Sequence, residues 1–151
     1  MSFWLLQFNE SSTFNIRAAL ELFPTIEWGL REKVIKKYFK TLPVLGDEGL
    51  IWLAKGKGNE SGVIGTMKVL SEPILRIYNS ATGLYIDPVS IRKVPRITII
   101  CKLWKNPLLI NDPNIEIRET LESLPVMKQH QGSTYYLKDE QFNAIIELAI
   151  K

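Results

Sequence analysis

Two apolar runs, Leu50–Ala54 and Val63–Leu70, stand inside the segment Gly46–Pro73 and are joined by a loop rich in Lys, Gly, Asn and Ser. Apolar and β-branched residues bounded by glycine clusters predict a β-hairpin, and no other stretch constrains the fold as strongly. Trp52 lies in the first run. In the loop, Lys55 and Lys57 alternate with Gly56 and Gly58. Glycines let a backbone come close to a ligand, and lysines beside them favour an anionic one. The segment reads equally well as a binding edge and as a long solvated hairpin loop, and it holds no obvious catalytic group.

Around the hairpin the patterning is mixed. Phe3–Phe8 predicts a strand. Ser11 or Ser12 can cap a helix over Thr13–Leu22, where Phe14, Ala18 and Leu22 share a face, and Pro24 ends it. A second helical pattern covers Leu30–Phe39, with Trp28 between the two helices. Leu75–Ile77 and Leu84–Ile86 predict short strands. Arg96–Trp104 predicts a strand because β-branched residues dominate it, with Asn106–Pro107 as a breaker after it. Ile115–Leu124 predicts a short helix and Asp139–Ile150 a terminal one, carrying Phe142, Ile145, Ile146 and Ala149 on one face. Short strands with helices at the ends predict a small barrel decorated by helices, and 151 residues fit a single domain.

Charge and composition narrow the classes. Apolar content of 46% and charged content of 23% exclude a disordered chain. The single cysteine, Cys101, rules out an internal disulfide and is consistent with a reducing, cytoplasmic compartment. It lies in an apolar run and reads as a small buried hydrophobe. No run approaches the length of about 20 apolar residues that spans a membrane, so no membrane partner is expected. The net charge is only +3, but it is unevenly placed: Arg31–Lys105 holds 14 Lys and Arg against 6 Asp and Glu, while the remainder balances to −5. A basic middle with acidic ends is compatible with a positive face around one site, or with ordinary solvated surface.

Tests for an enzyme mostly fail. His130 is the one histidine and sits in a polar stretch. With a single Cys it cannot build a zinc site, and no nucleophile elbow accompanies it. The Gly56–Gly58 loop lacks the spacing of a phosphate-binding P-loop. Glu116, Glu119 and Glu122 share a helical spacing and read as one solvated face. No metal or cofactor is expected.

Four tryptophans are a high count for this length. Trp4 and Trp52 lie inside apolar strands and read as core. Trp28 and Trp104 stand at element ends among polar residues, where two indoles can sandwich a planar base.

Taken in order, these residues resemble the EVE domain, a member of the PUA-like superfamily related to the YTH readers of methylated adenosine. The resemblance rests on Phe3–Leu6 as an opening strand and on Trp28. It continues through Gly46–Asp47 followed by Leu50–Trp52, and through Gly62–Gly65 running to Val69–Pro73. It ends with Pro107–Leu109 and with Gln131–Leu137 ahead of a helix containing Phe142, Ala144 and Ile145. It departs from the family at Glu48–Gly49, at Lys138, where a Ser or Thr cap is expected, and over Asn79–Pro95, which does not match.

The resemblance implies an α+β fold: a PUA-like small mixed β-barrel of about five to six strands flanked by helices. It implies a module that binds DNA or RNA carrying a modified, methylated base flipped into an aromatic pocket, and a monomer is expected. On this chain Trp28 and Trp104 become the pocket walls, Gln7 and Asn9 the base-edge contacts and Ser133 and Thr134 the rim, because amides and hydroxyls both donate and accept. Lys55, Lys57, Arg92 and Lys93 become the phosphate contacts. Two other readings stand beside it: an enzyme on the same barrel acting on RNA or a nucleoside, with Lys55 or His130 ionising, and a protein-interaction domain.

Overall fold

The computed structural model describes residues 1–9, 16–30, 41–54, 61–75, 95–128 and 134–150. In chain order these form β1 (Phe3–Asn9), α1 (Ile16–Leu22), β2 (Thr25–Gly29), β3 (Glu48–Ala54), β4 (Gly62–Val69), β5 (Ile74–Leu75), β6 (Pro95–Leu109), α2 (Ile115–Glu122), α3 (Pro125–Lys128), β7 (Thr134–Leu137) and α4 (Asp139–Ala149). The strands join in one sheet of order β2-β6-β4-β3-β1-β7, with β5 on the flank of β6. β1 and β3 run parallel, and the other pairs are antiparallel. The sheet curls into a half-barrel, the PUA-like α+β architecture that the resemblance implies. The predicted Leu50–Ala54 and Val63–Leu70 hairpin is the β3–β4 pair, and its loop lies outside the described residues, as does most of the predicted Leu30–Phe39 helix and all of Leu84–Ile86.

Side chains alternate across each strand, so the sheet separates two apolar clusters. Trp4, Leu6 and Phe8 of β1, Ile51 and Leu53 of β3, Met67 and Val69 of β4, and Ile97 and Ile99 of β6 fill the concave interior. Leu5, Leu50, Trp52, Tyr135 and Leu137 face the other way, onto Leu121, Leu124 and Ile145 from the helical side. Trp4 and Trp52 are both core, as their setting in apolar runs predicts. The outer layer is held to the sheet by Phe3, stacked on Phe142 of α4 at 4.0 Å between ring centroids.

Two local expectations change. Thr25–Gly29, read as a junction between helices, is strand β2. Ile26 and Trp28 turn to the inner cluster and pair opposite Ile99 and Ile97, so five residues with period-two alternation are recruited by the neighbouring strand. Asn106–Pro107 does not end β6. Gly65 pairs with Leu103 and Val63 with Leu108, so Trp104–Pro107 bulges out opposite Ile64. Proline has no N–H to give a ladder and is accommodated at such a bulge. Ile64 is also the extra residue against β3, and two irregularities at one level tighten the twist that curls the sheet. Beside them a Cβ on Gly65 would run into the Lys102 carbonyl oxygen, so the close approach of β4 and β6 requires glycine here.

The helix caps follow local chemistry. Asn114 accepts from the Glu116 N–H at 2.9 Å to start α2. α4 lacks a Ser or Thr cap, as the sequence shows, but the Lys138 N–H donates to Gln141 Oε1 at 2.9 Å, and Gln141 also donates to the Ser123 carbonyl at 3.2 Å. The start of α4 is thereby tied to the end of α2.

Cys101 is buried in the inner cluster, and burial pushes its thiol up to about 12 from an ordinary value of 9.0. In the unfolded chain the thiol ionises near its ordinary value, whereas the folded one keeps its proton. Unfolding therefore releases a proton between those two values, and stability should fall as pH rises through that window. The urea midpoint measured from pH 8 to 11 is expected to decline more steeply in the native sequence than in Cys101→Ala. Parallel profiles would remove the thiol as a cause.

Candidate functional site

The first and last strands of the sheet path, β2 and β7, do not pair with one another through their backbones. Side chains bridge them instead. Trp28 of β2 donates its indole N–H to Thr134 Oγ1 of β7 at 3.1 Å. Phe8 of β1 packs against the same indole, with ring centroids 4.4 Å apart and planes tilted by 58°. Trp28 is half-buried while Thr134 is 4% exposed, so the indole spans from the interior to the solvent edge of the seam. A ring held at its edge by a hydrogen bond and from behind by Phe8 is fixed in orientation, which suits it to stack on a planar group.

The structure therefore brings Trp28 and Thr134 together, and adds Phe8, which the sequence reading placed in the first strand with no role at the site. Its signal was the alternation of β1, which puts Phe8 on the same face as Trp4 and Leu6. Trp104 is placed elsewhere. It packs against the outer cluster and borders a depression of about 340 Å³ with Glu21, Ile64, Leu103, Lys105 and Pro107. Trp28 packs against the inner cluster, so the two tryptophans do not stand as facing walls. Gln7 occupies an outward position of β1 and accepts from the Tyr135 hydroxyl at 3.3 Å, while Asn9 is exposed at the end of the strand opposite Ala54. Ser133, Lys55, Lys57, Arg92, Lys93 and His130 lie outside the described residues.

A buried carboxylate supports this arrangement from the opposite end of β1. Asp47 is 3% exposed. Its Oδ2 accepts from Trp4 Nε1 at 2.9 Å and from the Val44 N–H at 3.0 Å, and its Oδ1 accepts from the Ser2 N–H at 3.0 Å. Its own backbone closes a turn onto Val44 and pairs with Val69. The preceding residue, Gly46, has a φ of +93°, in the left-handed region that favours glycine. With both oxygens engaged by structural donors, Asp47 is an anchor for the start of β1 and β3. Among the described residues no three His, Cys, Asp or Glu side chains gather as a metal site would require.

Charge on the outer surface is uneven. The exposed acidic residues Glu116, Glu119, Glu122, Asp139, Glu140 and Glu147 lie on α2 and α4, where they outnumber the exposed cations Arg118, Lys128 and Lys138 of the same helical side. Lys68, Lys102 and Lys105 are exposed on β4 and β6.

A curled mixed sheet with a tryptophan at its seam and helices over one outer half defines a PUA-like fold. The chain belongs to the EVE domain family, whose model matches residues 2–148. Human THYN1, solved in complex with DNA containing 5-methylcytosine, shares the fold with a TM-score of 0.70 at 17% identity, over 100% of this chain and 99% of that one. A hypothetical protein from Leishmania major has a TM-score of 0.67 at 20% identity, over 99% and 95% of the two chains. A Pseudomonas syringae protein has a TM-score of 0.65 at 19% identity, over 98% and 99%. No curated protein matches. Among the described residues no helix is long and apolar enough to cross a membrane.

Proposed function

We propose that this chain is a binding module, without catalysis of its own, that recognises a methylated base in DNA. The observation that carries the reading is Trp28 at the β2–β7 seam, half-buried and held in place by Thr134 and Phe8. A base turned out of its stack stacks on the indole face, which gains about 1–3 kcal/mol. A methyl group on that base is poorly solvated by water and prefers an apolar wall. Membership of the EVE family supports the reading, as does the fold shared with THYN1, a protein solved with 5-methylcytosine DNA. In this proposal Thr134 lies beside the base and Ser133 at its rim. Lys55, Lys57, Arg92 and Lys93 contact phosphates. Trp104, Gln7 and Asn9 contribute outside the pocket, along the path of the flanking nucleotides.

The test is a tryptophan-fluorescence titration at one salt concentration. The oligonucleotides are single-stranded and duplex, unmodified or carrying 5-methylcytosine, 5-hydroxymethylcytosine or N6-methyladenine. A preference of tenfold or more for one modified base, about 1.4 kcal/mol, is the expected result. Equal, weak binding across the panel would leave only a generic basic surface and reject the reading.

A further inference from the structure

Between α4 and the outer face of β4 and β6 runs an open groove of about 400 Å³. Met67 and Cys101 point into the inner cluster, so their strand neighbours Thr66, Lys68, Ile100 and Lys102 point outward, and Phe142 and Ile146 of α4 form the opposite wall. In register, Thr66 stands opposite Lys102 and Lys68 opposite Ile100. The two lysines are therefore diagonal neighbours on one face, about 7–8 Å apart. Both are exposed, and Ile100 between them is 42% exposed. Glu48 stands opposite Lys68 on β3 at one end of the groove.

We infer that this groove is a second contact surface for nucleic acid, in which Lys68 and Lys102 hold the sugar–phosphate strand that flanks the recognised base. The inference rests on the reading above and deepens it. Three observations favour a polyanion here. The exposed carboxylates of α2 and α4 outnumber the exposed Arg118, Lys128 and Lys138 of the helical half, so its net field disfavours a phosphate chain, whereas β4 and β6 expose Lys68, Lys102 and Lys105. β6, whose outer face forms part of the groove floor, pairs directly with β2, so a strand leaving Trp28 on the inner face reaches the groove by passing round β2 to the opposite face of the sheet. The floor offers Thr66 as a hydroxyl and Ile100 as an apolar surface, a combination that accepts phosphate oxygens and sugar carbons without reading sequence.

The experiment compares the intact protein with Lys68→Glu/Lys102→Glu and with Lys102→Ala, using a 5-methylcytosine duplex and its unmodified counterpart over a series of salt concentrations. Both lysines are solvent-exposed, so both variants are expected to stay folded, with at most a small fall in melting temperature where Lys68→Glu faces Glu48. Losing a phosphate contact weakens binding almost uniformly across sequences and flattens its salt dependence, by about 0.9 in the log–log slope for each phosphate on duplex DNA. The double variant should therefore lose tenfold or more for both duplexes, keep the ratio between them, and show a slope flatter by about two. Lys102→Ala should flatten it by about one. Unchanged affinity and slope in a folded variant, while the parent protein still prefers the modified duplex, would overturn the groove alone. Failure of the parent protein to bind either duplex would overturn both the groove and the base reading. Binding lost only for the modified duplex would place these lysines at the pocket and also reject the inference.

Discussion

Trp28→Ala is expected to abolish discrimination between methylated and unmodified oligonucleotides. The indole is the one aromatic surface among the described residues that bridges the seam, held at its N–H by Thr134 and from behind by Phe8. Losing a base stack costs about 1–3 kcal/mol, so the preference for the modified base should fall by about tenfold or more and approach unity. Residual, salt-sensitive binding should survive, because phosphate contacts do not depend on the ring. Trp28→Phe supplies the contrast: it keeps an apolar face but loses the hydrogen bond to Thr134, and should lie between the two. Trp28 is only half-buried, so the alanine variant should lose less than the roughly 3–5 kcal/mol of a fully buried aromatic and stay folded. Urea unfolding checks that. A folded Trp28→Ala protein that still prefers the methylated duplex would move the pocket away from the seam.

The largest stability effect is expected at Asp47. Its carboxylate accepts from Trp4 Nε1, Val44 N–H and Ser2 N–H, and it is almost wholly removed from solvent. Hydrogen bonds to a charged acceptor contribute about 1.5–3 kcal/mol each, and a buried donor left without a partner adds its desolvation cost. These terms share one residue and do not add in full, so Asp47→Ala should cost about 3–4 kcal/mol in urea unfolding. Asp47→Asn keeps the shape and one acceptor oxygen but turns an amide N–H against a donor, and should cost less than the alanine change. In a Trp4→Phe background the indole donor is already gone, so the further loss from Asp47→Ala should shrink. A shift below about 1 kcal/mol for Asp47→Ala would contradict the anchoring role.

Both residues show how far a linear reading reaches. The β3–β4 hairpin, the Arg96–Trp104 part of β6, the short helix predicted over Ile115–Leu124 and the terminal helix were all visible, because apolar and β-branched runs bounded by breakers and 3.6-residue spacing report directly on a local element. The buried Trp4, Trp52 and Cys101 were visible for the same reason. β2 was not: Thr25–Gly29 is a run of only five residues between two helical patterns, too short to stand out, and it is pairing with β6 that makes it a strand. Nor was the persistence of β6 past Pro107, where a bulge against β4 absorbs the missing donor. Trp28 and Thr134 were both picked out as site candidates through the resemblance, but the hydrogen bond between them was not, since they lie 106 residues apart in the chain, nor was the packing of Phe8 on the indole.

The pairing of Trp28 with Trp104 illustrates the same divide. Both are tryptophans among polar neighbours, and nothing local distinguishes them. The sheet does: one turns to the inner cluster and the other packs outside, because side-chain direction in a strand depends on register, and register is set by the neighbouring strands. Lys68 and Lys102 are inconspicuous in the chain, yet β4 and β6 bring them diagonally together on one face. By itself the sequence determined most of the elements and the division of basic middle from acidic ends, since these follow from composition and short-range patterning, and the order of its motifs carried the resemblance to the family. Only the tertiary structure decided which aromatic ring meets which hydroxyl and which lysines share a groove, because those contacts depend on strand order and curl, which no single segment encodes.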